Sequence, residues 1–295
     1  MSRNSTPWHQ CILMLLLALL LLDQPFAGAA EPPAFHVEVV GQGQPMILIP
    51  GLASSGETWS STAQHFAPHY ACHILTLAGF AGVPPISGPL LATAEAQLVD
   101  YIKAQHLQGA VLVGHSLGGL LALRLAADYP DLPGRLVIVD TLPALGAARD
   151  PRVSAAELSA AAEKVRVILQ AQDAEAYAED QRSAILGMVK KPADVERIVA
   201  WGLASDRTTV SNAMAEVIAT DLRQDIAHIR VPTLVLGTWI AFRQYATRTQ
   251  IKENFEAQYR KLPDVRITLA DHARHFIMYD DLPWMLAQID TFLPQ

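Results

Sequence analysis

Short apolar segments alternate with segments of helical length along most of this sequence. The apolar segments have the length and β-branched composition of buried strands. The predicted strands are residues 35–40, 46–49, 73–77, 110–113, 136–139, 233–236 and 266–269, and the clearest predicted helices are residues 93–105, 117–128 and 282–292. This alternation predicts an α/β fold with a mostly parallel central sheet and helices on both faces.

One long stretch interrupts the alternation. Between Asp140 and Pro232 no segment has a convincing strand pattern. Helix start signals stand there instead: Ser154 and Glu157 have the spacing of a capping box, and Pro192 can open another helix. The sequence therefore predicts a helical cap, residues 144–228, inserted into a core formed by residues 30–143 and 229–295.

The N-terminus has the layout of a cleaved secretory signal. A positive charge at Arg3 precedes an apolar run over residues 11–22 and the small-residue stretch Ala27-Gly28-Ala29-Ala30. A membrane-spanning helix needs about 20 apolar residues, and this run is shorter. We therefore predict a signal peptide over residues 1–29, a periplasmic or secreted protein, and no stable membrane insertion after cleavage.

Charge and cysteine content exclude some partners. The net charge of −7 argues against a nucleic-acid partner. Only Cys72 follows the predicted cleavage site, so the exported chain has no internal disulfide. The histidines His65, His69 and His73 stand four apart, but Pro68 interrupts any helix through them. We therefore expect no metal and no cofactor, and the sequence leaves the oligomeric state open.

The chemistry-bearing motif is Gly114-His115-Ser116-Leu117-Gly118, which lies between a predicted strand and a predicted helix. In a Gly-x-Ser-x-Gly turn the serine takes a strained conformation, and the two glycines remove side chains that would clash. The turn exposes the serine oxygen at the carboxyl end of the sheet, and the following helix N-terminus favours negative charge there. The motif predicts that Ser116 is a nucleophile.

With these residues the chain resembles the α/β-hydrolase superfamily, in particular its capped esterase and lactonase-like members. The resemblance covers nearly all of residues 35–295, and besides the serine turn it rests on the segments Ile49-Pro50-Gly51-Leu52 with Trp59, Val231 to Gly237, and His275 to Met278 with Pro283. It implies an α/β-hydrolase fold and a serine carboxylic ester hydrolase (class EC 3.1.1) acting on a small ester or lactone. The alternatives are a C–C or amide hydrolase of the same fold, and a relative that binds a ligand without turnover.

The resemblance also implies the oxyanion donors and the base. The backbone N–H groups of Leu117 and Leu52 are the expected oxyanion hole, with Ala53 as a near alternative to Leu52. Two histidines, His272 and His275, follow the last predicted strand. His275 is favoured as the base because it directly precedes the aromatic and apolar run that the family has after its histidine.

The acid departs from the family pattern. Most members carry it a few residues after the strand that ends at Gly237, and residues 238–244 contain no carboxylate. Asp140, at the end of the strand 136–139, is the favoured substitute, ahead of Asp280 and Asp281. Two further residues are predicted to contact substrate: His115 as a wall of the pocket and Trp201 as part of the cap lining.

Overall fold

The structure is a computed structural model that describes residues 32–294. The described residues from Pro33 onward form one compact unit. The predicted signal peptide, residues 1–29, lies outside the described residues. None of the described helices combines the length and apolar character needed to cross a bilayer.

A seven-stranded sheet forms the centre of the molecule. Its strands are β1 (Phe35–Val40), β2 (Gln44–Ile49), β3 (Tyr70–Leu77), β4 (Val111–His115), β5 (Arg135–Val139), β6 (Thr233–Thr238) and β7 (Val265–Ala270). They lie in the order β1-β3-β2-β4-β5-β6-β7, and only β1 runs antiparallel to its neighbour. The carboxyl ends of β2, β4, β5, β6 and β7 therefore meet along one edge.

The described α-helices are α1 (Ser60–Phe66), α2 (Leu90–Ala104), α3 (Leu117–Asp128), α4 (Ala155–Ala171), α5 (Ala174–Met188), α6 (Pro192–Leu203), α7 (Arg207–Ala219), α8 (Arg248–Gln258), α9 (Ile277–Asp280) and α10 (Leu282–Phe292). Short 3₁₀ turns occupy Gly56–Trp59, Leu145–Ala147, Asp225–His228 and Ile240–Phe242.

Apolar side chains cover both faces of the sheet. Along β2, Ile47 and Ile49 join the cluster that contains residues of α2 and α3. Met46 and Leu48 point to the opposite face and join the cluster that contains residues of α1 and α10. This alternation follows from the two-residue repeat of a strand. The predicted fold, a mostly parallel sheet with helices on both faces, is confirmed.

Four helices, α4 to α7, occupy the chain between β5 and β6, within the predicted cap of residues 144–228. The capping box at Ser154 and Glu157 is present, and Pro192 is the first residue of α6. Asp206 caps α7 by accepting the Thr209 N–H. Because the described residues from Pro33 onward form one compact unit, the boundaries between cap and core stay a prediction.

Candidate active site

Ser116 lies at the turn between β4 and α3, at φ 52° and ψ −119°. A positive φ is strained for a residue with a side chain, so surrounding contacts must hold it. The Ser116 N–H donates to the Val139 carbonyl oxygen at 3.0 Å. The Ser116 carbonyl oxygen accepts the Thr141 hydroxyl at 2.9 Å. The end of β5 therefore fixes the serine turn from one side.

The two glycines of the motif stand where no side chain fits. A Cβ on Gly114 would lie 2.3 Å from the Gly118 carbonyl oxygen, and one on Gly118 would lie 2.3 Å from the Ile49 carbonyl oxygen. Both obstacles are backbone atoms, which cannot turn aside as a flexible side chain can. The Gly-x-Ser-x-Gly pattern thus lets the serine turn pack directly against the end of β2.

Asp140 and His275 meet although they lie far apart in the sequence. The His275 ring nitrogen Nδ1 is 2.7 Å from Asp140 Oδ2. Because a carboxylate oxygen accepts, Nδ1 is the donor in this contact, and Nε2 is the ring nitrogen that is left to act as a base. Both side chains are mostly buried, with 24% of the His275 side chain and 11% of the Asp140 side chain exposed.

Thr238 holds the Asp140 carboxylate from the neighbouring strand. Its N–H donates to Oδ1 at 2.8 Å and its hydroxyl donates to Oδ2 at 3.0 Å. Asp140 itself has a left-handed φ of 45°, and its N–H donates to the Leu236 carbonyl oxygen at 2.7 Å. Asp140 therefore follows β5 and is anchored by the end of β6, the strand after which most of the family carries its acid.

The candidate oxyanion donors are the amides of Leu52 and Leu117. Leu117 is the first residue of α3, and Leu52 lies in the turn after β2. Within residues 32–294 neither amide donates to a protein acceptor. A helix start leaves its first N–H groups free, so the Leu117 amide is available to an anion. Ser116 Oγ likewise has no hydrogen-bond partner in this part of the chain; catalytic hydrogen bonds often tighten only when substrate is bound.

His115 lies beneath the site with no exposed surface. Its ring centre is 4.4 Å from the His275 ring and 4.8 Å from the Phe276 ring. Nε2 donates to the His275 carbonyl oxygen at 3.2 Å. Burial, and then repulsion from His275 whenever that ring carries a proton on both nitrogens, hold the pKa of His115 well below its usual range, so the His115 ring is neutral. His115 therefore lies behind the serine turn, and its predicted role as a wall of the substrate pocket stays a prediction.

Trp201 is 9% exposed and belongs to the apolar cluster that includes Ile185, Val189 and Phe276. A substrate contact by Trp201 stays a prediction. A cavity of about 280 Å³ lies between α7 and the loop after β3, and its lining contains none of Ser116, Asp140 and His275.

Two of the three histidines spaced four apart contact different side chains. His65 contacts the Asp290 carboxylate, and His73 contacts the Tyr101 hydroxyl at 2.7 Å. In residues 32–294 no three His, Cys, Asp or Glu side chains are grouped so as to hold a metal ion.

Sequence reasoning missed two supporting residues. Thr238 has no signal of its own, because threonine is ordinary at a strand end. Arg274 was also missed, although it directly precedes His275; its side chain donates to carbonyl oxygens of Leu186 and Val189 in the cap. An arginine beside a candidate base could have drawn attention, but its acceptors are backbone atoms that no sequence pattern marks.

Comparison with known proteins places the chain among hydrolases. It is 26% identical over 212 residues to a pimeloyl-[acyl-carrier protein] methyl ester esterase of Vibrio vulnificus, covering 68% of this chain and 77% of that protein. It is 26% identical over 264 residues to an N-formylmaleamate deformylase of Pseudomonas putida, covering 86% and 90%. The solved enol-lactonase of Burkholderia xenovorans superposes with a TM-score of 0.72 at 17% identity, covering 88% of this chain and 96% of that one. A profile of the alpha/beta hydrolase family matches residues 46–284, and the chain therefore belongs to that family.

Proposed function

We propose that this protein is a serine hydrolase that cleaves carboxylic esters, lactones included, through an acyl-enzyme on Ser116. The observation that carries the proposal is the 2.7 Å contact between His275 Nδ1 and Asp140, at the edge of the sheet where Ser116 stands. Chain order supports it as well, because serine precedes histidine as in other members of this fold.

Acylation begins when Ser116 Oγ attacks the carbonyl carbon and His275 Nε2 takes its proton. Asp140 stabilises the imidazolium through Nδ1, and Thr238 keeps the carboxylate oriented. The carbonyl oxygen becomes an oxyanion that accepts from the Leu52 and Leu117 amides. Collapse of this intermediate breaks the ester bond, and His275 returns the proton to the leaving alcohol.

Deacylation repeats these steps with water as the nucleophile. His275 takes a proton from water, the hydroxide attacks the acyl carbon, and Ser116 leaves with the proton that His275 returns. In a lactone the leaving alcohol stays joined to the acyl group, so the product is a single hydroxy acid. The methyl ester esterase among the relatives supports the ester class.

Amide-type hydrolysis is the second candidate. The deformylase relative aligns over 86% of this chain, more than the 68% covered by the esterase at equal identity. The same residues serve either bond, but an amide also requires His275 to protonate a poor leaving group. A non-catalytic ligand-binding role rests on the missing acid at residues 238–244, and the Asp140 contact with His275 removes that reason.

The decisive experiment is labelling with a fluorophosphonate probe, followed by identification of the modified peptide. We expect the probe on Ser116 in the wild type. Ser116→Ala should abolish labelling and lower kcat on p-nitrophenyl esters by a factor on the order of 10⁶.

Ser60→Ala, at an exposed serine that opens α1, is the matched control and should keep both labelling and turnover. An unlabelled Ser116 in folded protein would contradict the proposal. A panel of esters, lactones and amides separates the two candidates, and turnover of amides alone would replace the ester proposal. Residues 1–29 lie outside the described part of the chain, so export stays a prediction.

A further inference from the structure

The segment that carries His275 is tied to the cap on both sides of the histidine. We call residues 271–280 the histidine loop. We call residues 186–191, the last residues of α5 and the linker to α6, the cap connection. The Arg274 Nη1 donates to the Leu186 carbonyl oxygen at 2.6 Å and to the Val189 carbonyl oxygen at 3.1 Å. The Phe276 N–H donates to the Met188 carbonyl oxygen at 3.1 Å.

Asp280 joins the same two segments with its carboxylate. Oδ1 accepts the Lys190 N–H of the cap connection at 2.9 Å. Oδ2 accepts the Arg274 N–H of the histidine loop at 2.9 Å. The Lys190 ammonium also donates to the His272 carbonyl oxygen. Groups on both segments are therefore held by one carboxylate.

These contacts also complete the end of a helix. The last carbonyl groups of α5 have no partner within the helix, and a guanidinium is well suited to them because it opposes the negative end of the helix dipole. Arg274 therefore has two roles at once: it caps α5, and it fixes the backbone next to His275. The cap connection and the backbone on either side of His275 are therefore joined by direct hydrogen bonds.

The attachment of the histidine loop to the core does not depend on Arg274. Phe276, Ile277 and Met278 are all at most 3% exposed and pack in the apolar cluster beneath the loop. Arg274 is only partly buried, and its contacts are polar. Its removal should leave the loop attached and change only where His275 stands relative to Ser116.

We propose that Arg274 is a positioning residue: by tying the histidine loop to the cap connection, it makes the placement of His275 depend on the position of α5 and α6. The inference rests on the proposed function, in which His275 is the base. A misplacement of about 1 Å at a catalytic group can cost on the order of 10²-fold in rate. The contact thus couples the cap to turnover, although Arg274 touches neither substrate nor the reacting atoms.

The test compares Arg274→Ala, Arg274→Lys and a matched control in the purified full-length protein. We expect Arg274→Ala to lower kcat by about 10- to 100-fold with KM changed only a few-fold, since the base and not substrate binding is affected. Arg274→Lys, which keeps a charge that can reach one carbonyl, should recover part of the loss. The control is Arg182→Ala. It removes an exposed ion pair between Arg182 of α5 and Glu196 of α6, and it should keep wild-type kcat.

A second measurement does not depend on activity. Hydrogen–deuterium exchange should quicken in residues 186–191 and 272–280 of Arg274→Ala but not of Arg182→Ala. If Arg274→Ala does not fold, Asp280→Asn takes its place with the same expectations, because it removes one of the two oxygens that accept the backbone N–H groups of Lys190 and Arg274. Wild-type kcat and unchanged exchange in the tested variant would overturn the inference, as would an equal loss in Arg182→Ala. A wild type that neither hydrolyses esters nor labels at Ser116 would instead contradict the proposed function. The hydrogen–deuterium exchange comparison would still decide whether Arg274 couples the cap connection to the histidine loop.

Discussion

Asp140 leaves β5 with a φ of 45°, and this local strain has a consequence for the candidate site. The backbone turn places the carboxylate so that its Oδ2 contacts both the His275 ring and the Thr238 hydroxyl. Conformations of this kind persist only where neighbours hold them. Here the Asp140 N–H donates to Leu236, and the following carbonyl oxygen, that of Thr141, accepts the buried Tyr259 hydroxyl at 2.8 Å.

Replacing Asp140 tests whether this residue is the acid of the candidate site. Asp140→Asn preserves shape and can still accept from Thr238, but its amide cannot stabilise the imidazolium and favours the wrong histidine tautomer. We expect kcat on esters to fall by about 10⁴ with little loss of folding stability. Steady-state kinetics and a thermal melt measure the two effects.

Asp290→Asn is the matched control, because Asp290 contacts the exposed His65 in a second carboxylate–histidine pair. It should leave kcat unchanged. Thr238→Val should fall between wild type and Asp140→Asn, because the carboxylate loses one hydroxyl donor and keeps the backbone N–H. Near-normal turnover in Asp140→Asn would show that the acid lies elsewhere.

At the level of secondary structure, the serine turn connects β4 to α3 and also packs against the neighbouring strand β2. Gly118 sits against the last carbonyl oxygens of β2 and its turn, those of Ile49 and Pro50. The turn after β2 carries the Leu52 amide, so the same contact sets the distance between the two candidate oxyanion donors. A glycine here shapes the site as well as the backbone.

Gly118→Ala should therefore damage stability and catalysis together. Its Cβ would lie 2.3 Å from the Ile49 carbonyl oxygen and 2.5 Å from that of Pro50, so α3 and β2 must separate. We expect a loss of about 1–3 kcal/mol in unfolding free energy, with a lower kcat as Leu52 moves. Denaturant unfolding and ester kinetics measure both.

The control is Gly187→Ala in α5, where an added Cβ meets nothing within 4 Å. Alanine there should leave stability unchanged or raise it by up to about 1 kcal/mol, since glycine is the poorer helix former. If both alanine variants behave alike, close packing at Gly118 is not what the motif requires.

For the whole molecule, the strand order explains how distant residues reach one place. Ser116 follows β4, Asp140 follows β5, Thr238 ends β6, and His275 follows β7, and these four strands are consecutive neighbours. Ligands of open α/β sheets bind at the carboxyl ends of the strands. The sheet therefore assembles the candidate site from four separate stretches of chain.

A buried ion pair between two helices of the core should make the stability of the whole fold depend on pH. Glu95 of α2 is 5% exposed and contacts Arg124 of α3 at 2.6 Å. Burial, with Asp128 nearby, raises the pKa of Glu95 from 4.5 to about 7 although Arg124 lowers it. The folded state then binds a proton that the unfolded state releases, so this group's contribution to stability falls as pH rises from about 4.5 to 7.

Thermal melts of the wild type and Glu95→Gln across that pH range measure this contribution. The glutamine variant carries no proton at this position that can titrate. Its melting temperature relative to wild type should therefore rise with pH. A constant difference, or one of opposite slope, would mean that the carboxyl is charged throughout the range.

Local patterns in the sequence determined the elements and the nucleophile turn. The apolar alternation placed all seven strands, and the bounds predicted for β1, α3 and α10 agree with the structure. Ser116 could be recognised because the steric demand of its turn is met by two glycines close to it in the chain. These patterns lie within short stretches of the chain, so the sequence alone reveals them, even though Gly118 packs against the distant residues Ile49 and Pro50.

Only the tertiary structure decided which side chains meet. Asp140 and His275 are 135 positions apart. Their contact depends on the strand order and on the left-handed backbone conformation of Asp140, which the amino-acid composition does not predict. The same holds for the burial of His115 and for the contact of Arg274 with the cap. Direction of a side chain and proximity across the sheet are properties of packing, and packing is set by the whole chain at once.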